Sequence, residues 1–76
     1  MKQIPALSAR QVIQALKRLG FAEDRQKGSH LIMYHPLQKR RVVIPLHAGA
    51  TIKKPLLISI IEKDAGITIE EFLNNL

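Results

Sequence analysis

The sequence of 76 residues contains no cysteine and no tryptophan, and its aromatic residues are two phenylalanines and one tyrosine. Without cysteine, neither a disulfide framework nor a thiolate zinc site can stabilise the fold. No stretch resembles a signal peptide, a transmembrane span or a lipidation motif. The hydrophobic share of 46% is sufficient for a small core. We therefore expect a single cytoplasmic domain that comprises residues 1–76.

Acidic side chains are also scarce, with six Asp and Glu against 12 Lys and Arg, for a net charge of +6. Residues 1–54 hold eleven basic residues against two acidic ones, a balance of +9, whereas residues 55–76 have a balance of −3. Such a basic region is typical of a protein that contacts a polyanion, most often nucleic acid. A basic surface that serves only solubility is the alternative. An anionic membrane is a less favoured partner, because the charges are not gathered on one amphipathic helix.

The residue types that several kinds of catalytic site require are missing. Residues 25–61 contain no carboxylate, and His30, His35 and His47 are the only imidazoles. A three-histidine zinc site would need all of them to converge from separate elements, so we predict no metal site. Ser29 adjoins His30, but neighbouring strand residues point to opposite faces and no acid is near to orient the imidazole. No Gly-rich phosphate loop is present.

The first half of the chain predicts one helix followed by three strands. Ser8 and Gln11 form a capping box, and Gly20 predicts the end of the helix that they begin. Short strands are predicted at residues 21–26, 29–34 and 40–46. On the second strand both faces carry apolar residues, so the pattern leaves open which face the helices cover and which side His30 occupies.

The second half predicts two helices. The first begins near Thr51 or Lys54 and ends at Gly66. Its apolar stripe comprises Leu56, Leu57, Ile60 and Ile61. Thr68 opens a capping box and a short terminal helix that extends to about Leu76. The order α-β-β-β-α-α predicts an α+β fold with a three-stranded antiparallel meander.

The composition favours metal-free phosphoryl chemistry on RNA. The ribose 2′-hydroxyl is a built-in nucleophile, which requires a base for its proton and cations near the phosphate. A histidine can serve as base or acid near neutral pH. The candidate cations are Lys27, Arg40, Arg41, Lys53 and Lys54.

Several motifs resemble the HicA toxins, the small mRNA-cleaving partners of HicB antitoxins. The motif Gly28-Ser29-His30 is followed by an apolar run to His35-Pro36, and the resemblance covers nearly the whole chain. The further matching segments are Leu19-Gly20-Phe21, Ile44-Pro45-Leu46-His47, Ala65-Gly66-Ile67 and Glu70-Glu71-Phe72-Leu73. Family members often carry a second histidine directly after the first, whereas this chain has Leu31 there.

The resemblance implies a double-stranded-RNA-binding-domain-like fold, with a three-stranded antiparallel sheet and helices on one face. It implies that His30 is catalytic, that Gly28 permits the turn that presents it, and that no cofactor is needed. It also implies an mRNA substrate and a HicB-like antitoxin that covers the active site. The residues that we expect to contact RNA are Lys27, Gly28, Ser29, Arg40, Arg41, His47, Lys53 and Lys54.

Alternatives remain for the function and for single residues. The domain can instead be a non-catalytic module that binds double-stranded RNA by its shape, or a protein-interaction domain with an acidic partner. His35 fits a turn or strand-end residue better than a catalytic one, and His47 has a possible supporting role in RNA binding. Tyr34 fits core packing or partial burial better than base stacking. The basic run at 39–41 fits solvated charge at a sheet edge better than a phosphate clamp.

Overall fold

A computed structural model describes residues 4–46 and 50–76 of the chain. The elements in chain order are β1 (Leu7–Ser8), α1 (Ala9–Arg18), β2 (Ala22–Lys27), β3 (His30–His35), β4 (Arg40–Pro45), β5 (Thr51–Ile52), α2 (Lys54–Ile58), a π-helical segment (Ser59–Asp64) and α3 (Ile69–Leu73). Strands β2, β3 and β4 form an antiparallel sheet in that order, and β1 pairs with β5. The predicted α+β fold and its element order are confirmed.

Helix α1 begins and ends with the caps that the sequence predicts. The Gln11 N–H donates to Ser8 Oγ at 3.3 Å, and the Ser8 N–H donates to Gln11 Oε1 at 2.9 Å. At the other end Gly20 has a φ of +101°, and its N–H donates to the Lys17 carbonyl at 3.1 Å. The Phe21 N–H donates to the carbonyl of Leu16 at 2.9 Å, which completes a Schellman cap. Both caps pair backbone groups that the helix leaves without partners.

The core lies between the helices and one face of the sheet. Alternate residues of β3 and β4 point into it, because successive side chains of a strand face opposite ways. From the sheet these buried residues are Leu31, Met33, Val42 and Ile44, and from the helical layer Val12, Ala15, Leu16, Leu57, Ile60, Ile61 and Phe72. The opposite face carries no helix among the described residues, and we call it the open face. Its members on the sheet are Ala22, Arg25, Lys27, His30, Ile32, Tyr34, Arg41, Val43 and Pro45.

A two-residue turn sets the register between β2 and β3. Gly28 has a φ of +56°, Ser29 does not have a positive φ, and Lys27 pairs with His30. A positive φ at the first central residue alone is the pattern of a type II′ hairpin, which favours glycine there. The carbonyl of Ser29 in this turn accepts a hydrogen bond of 2.6 Å from the N–H of Leu46, the residue after β4. The hairpin that carries His30 is therefore joined to the end of β4.

A β-bulge changes the face of the residues at the start of β2. Arg25 pairs with Ile32 but Glu23 pairs with Met33, so that Asp24 is the extra residue. In a regular ladder from the same turn, Glu23 would lie opposite Tyr34 on the open face. The bulge instead places Ala22 opposite Tyr34. The Glu23 carboxylate forms an ion pair with Lys17 of α1 at 2.6 Å.

The C-terminal half agrees with the predictions in part. Of the two predicted starts of the second helix, Lys54 is close to the observed one, because α2 begins there, whereas Thr51 lies in β5. Leu56 was predicted to be buried but is 46% exposed. The other members of the predicted stripe, Leu57, Ile60 and Ile61, are buried. Helix α3 ends at Leu73, earlier than predicted, although the predicted Thr68 cap is present with the Glu71 N–H donating to Oγ1 at 3.0 Å.

Candidate functional site

His30 lies on the open face of the sheet, at the first residue of β3. Its side chain is exposed, and its cross-strand partners are Lys27 on β2 and Pro45 on β4. Directly opposed residues of antiparallel strands have Cβ atoms about 4.5–5.5 Å apart. Lys27 is thus the nearest cation to the imidazole along the sheet. The sequence left open which face of the sheet His30 occupies, and the strand register places it on the open face.

Basic side chains surround a cavity on the same face. The cavity has a volume of about 180 Å³. Its lining residues are Asp24, Arg25, Lys27, Ile32 and Arg41. Three cations therefore converge on it with a single carboxylate, and this carboxylate lies 3.6 Å from the Arg25 Nε. The balance of charge in the cavity is suited to an anionic group such as a phosphate.

Tyr34 and Arg41 form a stacked pair at the far end of this face. The guanidinium carbon of Arg41 lies 5.5 Å from the centre of the Tyr34 ring, within the range of a cation–π contact. The two residues are cross-strand partners. The side chain of Tyr34 is on the open face and half-buried, which agrees with the partial burial that was one of its two predicted environments.

Several residues that the sequence selected for RNA contact do not lie beside His30. Arg40 pairs with His35 at the opposite end of β3, and its guanidinium lies against Gly66. Lys54 is the first residue of α2 and is exposed, and Lys53 lines a cavity of about 330 Å³ that also includes Pro45. His47 lies outside the described residues. The structure places Lys27 beside His30, and the hairpin turn holds Gly28 and Ser29 next to it. Arg41 lies on the same face but opposite Tyr34, and it lines the cavity that Lys27 also lines.

Arg25 is the cation that the sequence reasoning missed. It lies two residues before Lys27, and strand residues two apart share a face. The signal was therefore present in the spacing, but residues 21–26 looked too polar for their facing to be argued. The hairpin register is what assigns Arg25 to the same face as His30.

His35, the second histidine, has structural partners. Its ring meets Phe21 edge-on, with the ring centres 5.1 Å apart and an angle of 82° between the planes. The Gln38 N–H donates to its Nδ1 at 3.0 Å. The ring also lies against Gly20. These contacts agree with the interpretation of His35 as a strand-end residue.

Among residues 4–46 and 50–76, no group of three His, Cys, Asp or Glu is arranged to hold a metal ion. No helix in these two ranges is both long and apolar enough to cross a bilayer.

Comparison with known proteins agrees with the motifs. No curated protein sequence matches the chain. A family model described as the HicA toxin of bacterial toxin–antitoxin matches residues 9–67, which is well over half of the chain. The matched range includes the hairpin with His30, all three strands of the main sheet, α2 and the π-helical segment. The chain therefore belongs to the HicA toxin family, and it is the toxin of a toxin–antitoxin pair.

Proposed function

We propose that this toxin is an endoribonuclease that cleaves mRNA with His30 as its catalytic residue and without a metal ion. The observation that carries the proposal is the exposed imidazole of His30, held on a rigid hairpin beside the Lys27 cation. A strand position is well suited to catalysis because backbone pairing on both sides holds the side chain in place.

The reaction uses groups that RNA and this face supply. One nitrogen of His30 accepts the proton of a ribose 2′-hydroxyl, and the oxygen attacks the adjacent phosphorus. The bond from phosphorus to the 5′-oxygen breaks, that oxygen takes up a proton from the imidazolium or from water, and a 2′,3′-cyclic phosphate remains. Lys27 and the other cations of the cavity offset the charge that develops on the phosphate oxygens.

The same geometry supports a HicB-like antitoxin that neutralises the toxin by covering His30. The open face has an excess of positive charge, so a partner with acidic side chains would be complementary to it. A protein seated there would exclude RNA from the imidazole without altering the fold of the toxin.

The test is RNA cleavage in buffer with EDTA by the wild type and the His30→Ala variant. We expect the wild type to cleave, and the variant to be slower by about 10²-fold or more, which is the contribution of a positioned general acid or base. Gln14→Ala is the matched control, since Gln14 is an exposed polar residue of α1 on the other side of the sheet. Circular dichroism must show that all three proteins are folded.

Other outcomes would contradict the proposal in different ways. If both proteins bind RNA and neither cleaves it, the toxin is a binding module rather than a nuclease. Equal cleavage by both would indicate a contaminating nuclease or another catalytic residue, and His47 would be the next to replace. Cleavage that EDTA abolishes would indicate an essential metal ion.

A further inference from the structure

The open face continues well beyond His30 and combines apolar and basic side chains. Val43 is 43% exposed near its centre, and its cross-strand neighbour Ile32 is only partly buried. Cations flank this apolar strip, with Arg25 and Lys27 on β2 and Arg41 on β4. Apolar and aromatic surface bordered by cations is the arrangement with which proteins bind single-stranded nucleic acid, since bases stack on the former and phosphates contact the latter.

Tyr34 is partly exposed on the open face, and its two cross-strand neighbours are Arg41 and Ala22. Arg41 lies over the ring from β4, and on the β2 side the neighbour is Ala22, which has the smallest side chain that a strand residue other than glycine can offer. The bulge at Asp24 is responsible, because a regular ladder would place the Glu23 carboxylate there and repel RNA. Both consequences of the bulge favour a nucleobase next to Tyr34.

We propose that the open face binds single-stranded RNA along β3, and that Tyr34 with Arg41 forms a base-stacking subsite remote from the cleaved bond. This inference rests on the proposed function for the position of the cleaved phosphate at His30. Tyr34 is four residues from His30 on one strand, a separation of about 13 Å at 3.3 Å per residue. A few nucleotides span that distance, since a stacked strand advances about 3.4 Å per nucleotide. The cavity lined by Asp24, Arg25, Lys27, Ile32 and Arg41 lies between the two sites. Its three cations outnumber the one carboxylate, which lies 3.6 Å from the Arg25 Nε, so the cavity can receive the intervening phosphates.

A single strand fits this face better than a duplex does. In an RNA helix the bases are stacked on one another, so that an aromatic ring on a protein surface cannot stack on them. A duplex would contact only the cations and would leave Ile32, Tyr34 and Val43 against its polar backbone. A single strand can turn its bases towards these side chains, as RNA does on the sheet face of other small α+β modules.

The experiment measures RNA binding in the His30→Ala background, so that cleavage does not interfere. The probe is a single-stranded RNA of about 12 nucleotides, within the site sizes of known single-strand binders, with 2-aminopurine placed at successive positions. Replacing Tyr34 by Ala should lower the affinity by about 5- to 100-fold, because each stacked base contributes substantially to binding. The fluorescence quenching at one position of the probe should be lost with it, whereas Tyr34→Phe should retain both. Leu37→Ala is the control, since Leu37 is 87% exposed in the loop between β3 and β4 and should change the affinity by less than about twofold.

Salt dependence separates stacking from charge. Tyr34→Ala should leave the slope of log affinity against log salt unchanged, whereas Lys27→Gln should reduce it by about 0.7, the value for one cation on a single strand. Tyr34→Leu, which keeps an apolar side chain on β3, provides a second variant if the alanine variant does not fold. A duplex of the same sequence should bind less tightly than the single strand.

Three results would overturn the inference. Unchanged affinity of both Tyr34→Ala and Tyr34→Leu would exclude stacking, and tighter binding of the duplex would exclude a single-stranded ligand. Loss of antitoxin binding alone would make the subsite part of a protein interface.

The two proposals fail separately. If the His30→Ala variant still cleaves, the catalytic assignment falls while the subsite remains. If replacing Tyr34 does not change the RNA affinity while His30 is essential for cleavage, the subsite is excluded and the catalytic assignment remains.

Discussion

The imidazole of His35 lies directly against the backbone of Gly20, so closely that a Cβ atom added to the glycine would be 2.6 Å from Nε2. The ring is not free to move away, because Phe21 packs against it and the Gln38 N–H donates to its Nδ1 at 3.0 Å. The end of α1 thus meets the end of β3 at a point where no side chain fits. These contacts connect the helical layer to the strand that carries His30 at its other end.

Alanine at Gly20 should therefore destabilise the protein more than alanine at another turn glycine. The φ of +101° at Gly20 lies outside the left-handed helical region and strains any residue with a Cβ, and the contact with His35 adds to this cost. We expect Gly20→Ala to lower the free energy of unfolding by about 2–4 kcal/mol. Urea denaturation followed by circular dichroism measures the difference.

Gly28 provides the matched control for this prediction. Its φ is +56°, and no atom lies within 4 Å of an added Cβ, so that Gly28→Ala carries the conformational cost alone. That cost is about 1–2 kcal/mol. Equal destabilisation by the two substitutions would mean that the contact between Gly20 and His35 contributes nothing.

Replacing His35 should affect stability and leave RNA cleavage by the folded protein intact. His35→Ala removes the edge-on contact with Phe21 and the acceptor for the Gln38 N–H, which together stabilise the fold by about 1–3 kcal/mol. His30 is exposed, so His30→Ala should have the opposite profile, with stability within about 0.5 kcal/mol of wild type and cleavage lost. Unfolding curves and cleavage rates of both variants, measured well below the melting temperature, check this contrast. If His35→Ala is as stable as wild type but does not cleave RNA, the catalytic role would belong to His35 and not to His30.

Much of the fold could be predicted from the sequence because its signals are local. The Ser8 cap, the Gly20 cap and the hairpin at Gly28 each depend on residues within a few positions of one another, and all three are present. The pairing of Leu7–Ser8 with Thr51–Ile52 was not predicted, since two-residue strands have too short a pattern to detect. The π-helical segment likewise has no periodicity of its own in the sequence.

The position of His30 could be predicted from the sequence, whereas the residues that surround it on the open face could not. The turn motif before His30 indicated an exposed strand start, and the structure has it there. The open face itself could not be assigned, because Ile32 and Tyr34 are nearly as apolar as Leu31 and Met33 on the buried face. The bulge at Asp24 could not be predicted either, because one extra residue does not change the composition of the strand. Arg40 was selected for its charge, whereas the register places it at the far end of β3 against Gly66.

Helix α3 lies after the range that the family model matches, yet it completes the core. Phe72 is fully buried, and the helix contacts both α1 and the π-helical segment. The Arg18 guanidinium donates to the Asn75 carbonyl at 2.9 Å, so the end of α1 is also bonded to the residues after α3. A domain of this size has few large buried side chains, and each one therefore supplies a substantial part of its stability.

We accordingly expect Phe72→Ala to be the most destabilising of the substitutions considered, at about 3–5 kcal/mol, because the cavity left in the core adds to the lost transfer free energy. A loss of this size would remove a large share of the stability of the domain, since the total is only about 5–15 kcal/mol. Leu76→Ala is the control on the same segment, and it should cost less than about 1 kcal/mol because Leu76 is 44% exposed. Chemical denaturation of both variants measures the difference. If Phe72→Ala unfolds at the same denaturant concentration as wild type, α3 is not part of the cooperative core, and the matched range alone would be the folding unit.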